Sequence, residues 1–172
     1  MFNHSGMREY QLALTERINS ATNAPSPAIP MLGVSIGEER WLVPMNSISE
    51  VLPVPKITPV PLTHRWFLGV INVRGYLYGI SDIAAYLGHA LTPLTPKSRI
   101  ILFAPRLGAN SGLLVSNLLG IRNLNEFKQI EDHDVAHATI KARQFVDKQD
   151  RPWLELNLRA LIHEQSFIRI DR

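Results

Sequence analysis

A chain of 172 residues is long enough to bury a core without covalent staples, and the absence of cysteine excludes disulfides, thiolate metal sites and cysteine nucleophiles together. The net charge of +3 arises from 18 basic and 15 acidic residues that are scattered along the chain, so a pI near 9.4 lacks the Lys/Arg-rich run that nucleic-acid binding would call for. No stretch approaches the ~18 consecutive apolar residues of a membrane span, and Arg8, Glu9, Glu16 and Arg17 interrupt the N-terminal region; the chain reads as cytoplasmic, with no direct membrane insertion.

In chain order, Met7, Tyr10, Leu14, Ile18 and Ala21 recur at 3- and 4-residue spacing and predict an N-terminal helix over 7–21. Its apolar stripe either docks on the parent domain or binds a partner. Pro25, Pro27 and Pro30 then mark a linker, so residues 1–30 precede a folded domain over 31–172. Alternation over Met31–Ile36, a turn at Gly37–Arg40 and a return over Trp41–Met45 predict a hairpin, followed by a strand over Ser47–Val54. Pro53, Pro55, Pro59 and Pro61 interrupt the next stretch, because proline has no N–H for a ladder. Trp66–Asn72 and Tyr76–Ile80 are further strands, and Ser81-Asp82 can cap a short helix over Ile83–Leu87 that Gly88 ends.

After Pro93 and Pro96 a second β set begins: Arg99–Ala104, a turn over Arg106–Gly112, Leu113–Leu118 and its continuation Gly120–Leu124. Gln144–Asp147 and Trp153–Leu156 form a late hairpin, and Asn157 caps a closing helix over about 157–164. Two β blocks, each of about four or five short strands, imply a mainly β protein built as two small barrels packed together, mostly about 31–92 and about 97–160.

Catalytic and metal chemistry find little support. His133 and His137 beside Glu131, Asp132 and Asp134 have metal-ligand spacing, but the segment is polar and no motif fixes the two imidazoles. His64, Ser81, Asp82 and His89 can be arranged on paper as a hydrolytic triad, yet no strand-turn-helix elbow presents a serine. Gly69 and Gly75 flank a strand without a Walker-type lysine. Trp41, Trp66 and Trp153 read as core or interface residues rather than a base-stacking platform, the feature on which a single-stranded nucleic-acid-binding barrel would depend. The chain therefore reads as non-enzymatic, with no cofactor.

The most informative run is Phe67 to Ile83, apolar except for the amide of Asn72 and the charge of Arg74. A guanidinium buried among Val70, Ile71, Val73 and Leu77 would need a carboxylate partner; at an exposed strand end it would instead snorkel into water. This run resembles the CheW-like domain, whose hallmark is an apolar residue, Gly-Val, a variable residue and Asn-x-Arg-Gly, leading on to Asp-Leu. The resemblance extends through Ile36–Met45, Ser49–Leu52, Ile57–Pro61, Gly112–Val115 and Trp153–Leu156, and so spans about 31–170. The helix and proline linker ahead of the domain are similar to the CheW-like adaptors of chemosensory systems that control type IV pili and twitching motility. A flagellar chemotaxis adaptor is the alternative within the family.

The resemblance implies two SH3-like five-stranded barrels and an adaptor without catalysis. Its partners would be the regulatory CheW-like domain of a CheA-type histidine kinase and the cytoplasmic tip of a methyl-accepting chemotaxis-type receptor, seated between the barrels. It further implies that Glu50 and Arg74 form a coupled charged pair whose remaining donors reach a receptor carboxylate. Asn72 belongs to the same motif. Gly69 and Gly75 would let a partner backbone approach, and Val51, Leu52 and Val70 would supply apolar contact. Two positions depart from the family pattern: Gly79 stands where proline is usual before Ser81-Asp82, and Ser116 where aspartate often follows the Gly-Leu-x-Val strand.

Overall fold

A computed structural model describes residues 26–131 and 140–172. The predicted helix over 7–21 and the imidazoles His133 and His137 lie outside the described residues. Among the described residues are eleven strands: β1 (Pro30–Ile36), β2 (Glu39–Pro44), β3 (Ile48–Pro53), β4 (Phe67–Val73), β5 (Tyr76–Asp82), β6 (Arg99–Phe103), β7 (Ser111–Val115), β8 (Asn117–Asn123), β9 (Lys128–Ile130), β10 (Lys141–Val146) and β11 (Pro152–Leu156). They form two sheets, one in the order β8-β1-β2-β11-β10-β9 and the other β3-β6-β7-β5-β4.

The sheets do not follow the halves of the chain. β1 and β2 leave the N-terminal half to join β8–β11, while β6 and β7 join β3–β5. The expectation of one barrel mostly over about 31–92 and another mostly over about 97–160 left the exchange open: β3, β4 and β5 are three of the five strands of one sheet, β8–β11 four of the six of the other, and two strands cross over in each direction. Each exchange ends in the sole parallel pairing of its sheet among the described strands, β2 with β11 and β5 with β7; the other pairs are antiparallel. The first sheet also has six strands rather than the expected five. Its extra edge, β9, has three residues, mostly exposed, and lacks the alternation that would reveal a strand.

Burial explains the exchange. In β6, Ile100 and Leu102 enter the interior of the five-stranded sheet with Ile71, Ile80 and Leu114. Ile101 and Phe103 point the other way, into a core shared with Leu32, Val34, Trp41 and Val43 of the six-stranded sheet. β6 and β7 are thus apolar on both faces, as strands enclosed on both sides must be. A third cluster, with Met31, Leu42, Phe145 and Trp153, fills the six-stranded sheet. The layers are barrel interior, shared core and barrel interior.

Polar groups at these layers are satisfied. Trp41 Nε1 donates to Glu39 Oε2 (3.2 Å) and Trp153 Nε1 to Asp147 Oδ2 (3.0 Å), so both indoles are buried with their N–H groups paired. Asp147 also accepts from the Gln149 and Arg151 amides and from Arg151 Nε. Burial works against its charge, but these donors together hold its carboxyl well below the usual carboxylate range and lock the β10–β11 turn. The short helix Ile83–Tyr86 starts at Asp82, as predicted, and Leu158–Leu161 starts at Asn157. A further helix, Gln165–Ile168, places Phe167 against Trp66 in a stack of 5.5 Å. The C-terminal segment then pairs with the link before β4, His64 N–H donating to the Ile170 carbonyl at 2.7 Å. No helix among the described residues is long and apolar enough to cross a membrane.

Candidate partner-binding site

β4 and β5 are joined by Arg74-Gly75, a two-residue turn in which both residues have positive φ, +51° and +87°. This is the primed turn geometry that matches the twist of a β-hairpin. Glycine meets the demand without cost, whereas Arg74 is an L-residue in the left-handed region and needs support. Asn72 supplies it: its Oδ1 accepts the Gly75 N–H at 2.9 Å and closes the turn.

The turn carries Arg74 to the edge of the sheet opposite β3. β3 and β4 are the terminal strands of their sheet, and Glu50 lies on β3. Arg74 Nη1 donates to Glu50 Oε1 at 3.3 Å and Nη2 donates to Oε2, a two-pronged pair that bridges the two sheet edges. The pair is exposed, with 71% of the Arg74 side chain and 31% of Glu50 open to solvent. The hydrogen bond from Arg74 holds the Glu50 carboxyl below its usual range, and Glu50 raises Arg74 in turn. Arg74 is thus a snorkelled turn residue and not a buried one.

The remaining expected site residues divide by face. Strand alternation sends Val51 toward the shared core and Leu52 toward the interior of the five-stranded sheet, so these neighbours cannot contribute to one surface. Val70 and Asn72 lie on the outer parity of β4, Asn72 exposed and Val70 half-buried. Gly69 serves the chain itself. A Cβ there would meet the Thr58 carbonyl oxygen at 2.0 Å, because Thr58 and Val70 exchange backbone hydrogen bonds of 2.9 Å. The space expected for a partner backbone is occupied by the proline link. Gly75 differs, since a Cβ there would meet nothing within 4 Å.

Two residues were missed. Tyr76 and Leu77 follow the turn at 66% and 60% exposure, Leu77 directly across from Asn72. The signal was available in the sequence, as a bulky apolar residue at each parity beside a turn leaves one of them facing outward. Arg74, Asn72 and Leu77 form a charged and apolar tip on one face of the hairpin, a composition suited to protein contact, while Tyr76 takes the opposite face beside Val73.

The hydrolytic arrangement does not assemble. Asp82 is fully buried and engaged by the amides of Ala84, Ala85 and Thr92 and by the Thr92 hydroxyl. His64 stacks on Trp66 at 5.6 Å, and His89 faces Glu39 at 3.7 Å. Among the described residues no group of three or more His, Asp or Glu side chains is placed to hold a metal.

Two sheets that exchange strands around a shared core, with a charged pair joining one hairpin tip to β3, define a β scaffold that presents a surface. The sequence pattern of the CheW-like domain matches residues 30–166, and the chain belongs to that family of scaffold and adaptor proteins. It is similar to the protein PilI of Pseudomonas aeruginosa, 31% identical over 140 residues that cover 81% of this chain and 78% of that one. It is also similar to the chemotaxis protein CheW of Thermotoga maritima, 30% identical over 56% of this chain and 62% of that protein. The crystal structure of the scaffolding protein TtCheW from Thermoanaerobacter tengcongensis shares the fold, with a TM-score of 0.70, 20% identity and coverage of 81% of this chain and 96% of that one. The mainly β, two-barrel expectation agrees with that likeness.

Proposed function

We propose that this protein is a non-catalytic adaptor that couples the cytoplasmic tip of a chemoreceptor to a CheA-type histidine kinase, in a chemosensory system that controls type IV pili and twitching motility. One observation carries the reading: the Arg74 guanidinium is oriented by Glu50 while most of its surface faces solvent. An ion pair this exposed contributes little to folding, so its two-pronged geometry is better explained by what it offers a partner. The carboxylate fixes the fork and leaves donor N–H groups for an acidic side chain. Leu77, exposed across from Asn72, supplies the apolar contact that charge alone does not. Family membership supports the adaptor role, and the likeness to PilI supports the pilus system over a flagellar one.

The test is a pull-down of a CheA-type kinase and a chemoreceptor cytoplasmic domain from the same organism, using the wild-type chain and Arg74→Ala. The variant is expected to melt as the wild type does and to lose receptor capture while keeping the kinase. Full capture of both by Arg74→Ala contradicts the reading.

A further inference from the structure

The match to the family pattern ends at residue 166, and the segment that runs from the helix Gln165–Ile168 to Arg172 lies across the link before β4. Of residues 165–172 only Phe167 is buried. Its ring stacks on Trp66 at 5.5 Å and meets Tyr86 edge-on at 5.1 Å. Beyond its own helical turn, the segment makes three hydrogen bonds to the described residues. The Tyr86 and Ser166 hydroxyls lie 2.7 Å apart, His64 N–H donates to the Ile170 carbonyl, and Arg172 N–H donates to the Leu62 carbonyl at 3.1 Å. A hollow of about 560 Å³ beside Trp66 and Tyr86 flanks the segment, and another of about 330 Å³ lies beside Phe67 and Gly79, so close packing backs neither side. The link that it pairs with is strained: Leu62 has a φ of +61° and is 85% exposed, a conformation costly to an L-residue. One anchoring ring, three hydrogen bonds and a strained acceptor describe a unit that opens at lower cost than the core.

We propose that residues 165–172 form a releasable strap, which fills from within the chain a slot that a segment of another protein can fill in its place. The slot has two parts. The Trp66 face and the Tyr86 edge take an aromatic ring. The backbone of residues 62–64 pairs antiparallel with the extended chain that follows the ring, as Thr63 now pairs with Asp171. The segment already seated defines the chemistry of the occupant: an aromatic residue followed three positions later by an aliphatic one in extended chain, as Phe167 is by Ile170. The residues between are free to vary, since Ile168 and Arg169 are exposed. Tethering keeps the slot closed at rest, because an incoming segment competes with one held at high effective concentration. The slot lies at the opposite end of β4 from Arg74 and does not depend on the role given to the Glu50–Arg74 pair.

The test uses the full chain, ¹⁵N-labelled. In the wild type, the His64 amide, whose acceptor belongs to the strap, is expected to exchange with solvent about 100-fold or more faster than the amides of β6. Thr63 and Asp171 face each other between the two backbone hydrogen bonds, a spacing that suits a cross-strand disulfide, and the chain has no cysteine of its own. Oxidised Thr63→Cys/Asp171→Cys is expected to slow the His64 exchange about tenfold or more, and reduction to restore it. Phe167→Ala is then titrated with acetyl-Gln-Ser-Phe-Ile-Arg-Ile-Asp-Arg-amide and with the same peptide carrying alanine for phenylalanine. It is expected to bind the phenylalanine peptide about tenfold or more tightly than the alanine peptide, with shifts at the Trp66 indole and the His64 amide, and the wild type to bind that peptide about tenfold or more weakly. Phe167→Leu, which keeps an apolar plug and loses the stack, is expected to show the same preference if Phe167→Ala does not fold. His64 exchange at the rate of β6, no slowing on oxidation, equal binding of the two peptides, or capture of the phenylalanine peptide by the oxidised chain would each overturn the proposal.

Discussion

At the scale of single residues, two glycines of one hairpin do different work. Gly69 has φ of +133° and Gly75 of +87°, so a side chain strains either backbone. Only at Gly69 does a Cβ also collide with backbone, the Thr58 carbonyl oxygen at 2.0 Å. Gly69→Ala is therefore expected to destabilise by on the order of 2–4 kcal/mol, strain and overpacking together, against about 1 kcal/mol for Gly75→Ala. Urea denaturation of both variants checks this, and equal losses would place the cost in conformation alone. The sequence marked both positions as glycine flanking a strand but could not say that the occupant beside Gly69 is the protein's own proline link, 11 residues upstream. That contact is long-range in space and leaves no periodic trace. The Glu50–Arg74 pair was reached through family likeness rather than spacing, since the two residues lie 24 apart. Tyr76 and Leu77 escaped notice because a strand of apolar residues reads as buried until its outward face is known.

At the scale of elements, what could be read was periodicity and punctuation. β3, β6 and β11 emerged within a residue or two of their observed limits, since each is an apolar run bounded by proline, glycine or polar residues. Capping by Asp82 and Asn157 was also legible, because the chemistry is local. What could not be read is which layer a doubly buried strand serves on each face. β6 is the clearest case, with Ile100 in one barrel interior and Ile101 in the shared core. Both are fully buried, so truncation to alanine at either site is expected to cost about 2–5 kcal/mol. If the two layers fold as one unit, Ile100→Ala and Ile101→Ala will each shift a single transition without splitting it. A second transition in either melt would show that a barrel interior can loosen alone.

At the scale of the whole molecule, the exchange of strands has the largest consequence. Two contiguous barrels could fold separately, whereas these sheets cannot be completed from either half of the chain. A fragment of residues 31–92 would leave β1 without β8, β2 without β11 and β3 without β6. It is expected to show no cooperative melt and no dispersed amide spectrum, and a stably folded fragment would refute the account of the shared core. Truncation at the other end has a limit set by structure. Asn125 Nδ2 donates to the Pro27 carbonyl at 3.0 Å and Asn123 Oδ1 accepts the Ile29 N–H at 3.2 Å, so the end of the linker is fastened to the first sheet. That fastening gives the linker more definition than its proline content suggested.

The central claim is that Arg74 is presented to a partner and that Glu50 serves to aim it. The most direct measurement is receptor and kinase capture by the charge-exchanged double variant Glu50→Arg, Arg74→Glu, compared with wild type. The exchange rebuilds an internal ion pair of the same composition while reversing the charge shown to solvent. Our account predicts a melting temperature close to wild type with receptor capture lost. Recovery of receptor capture by the double variant would show that the pair only braces the sheet edges, and would contradict the claim.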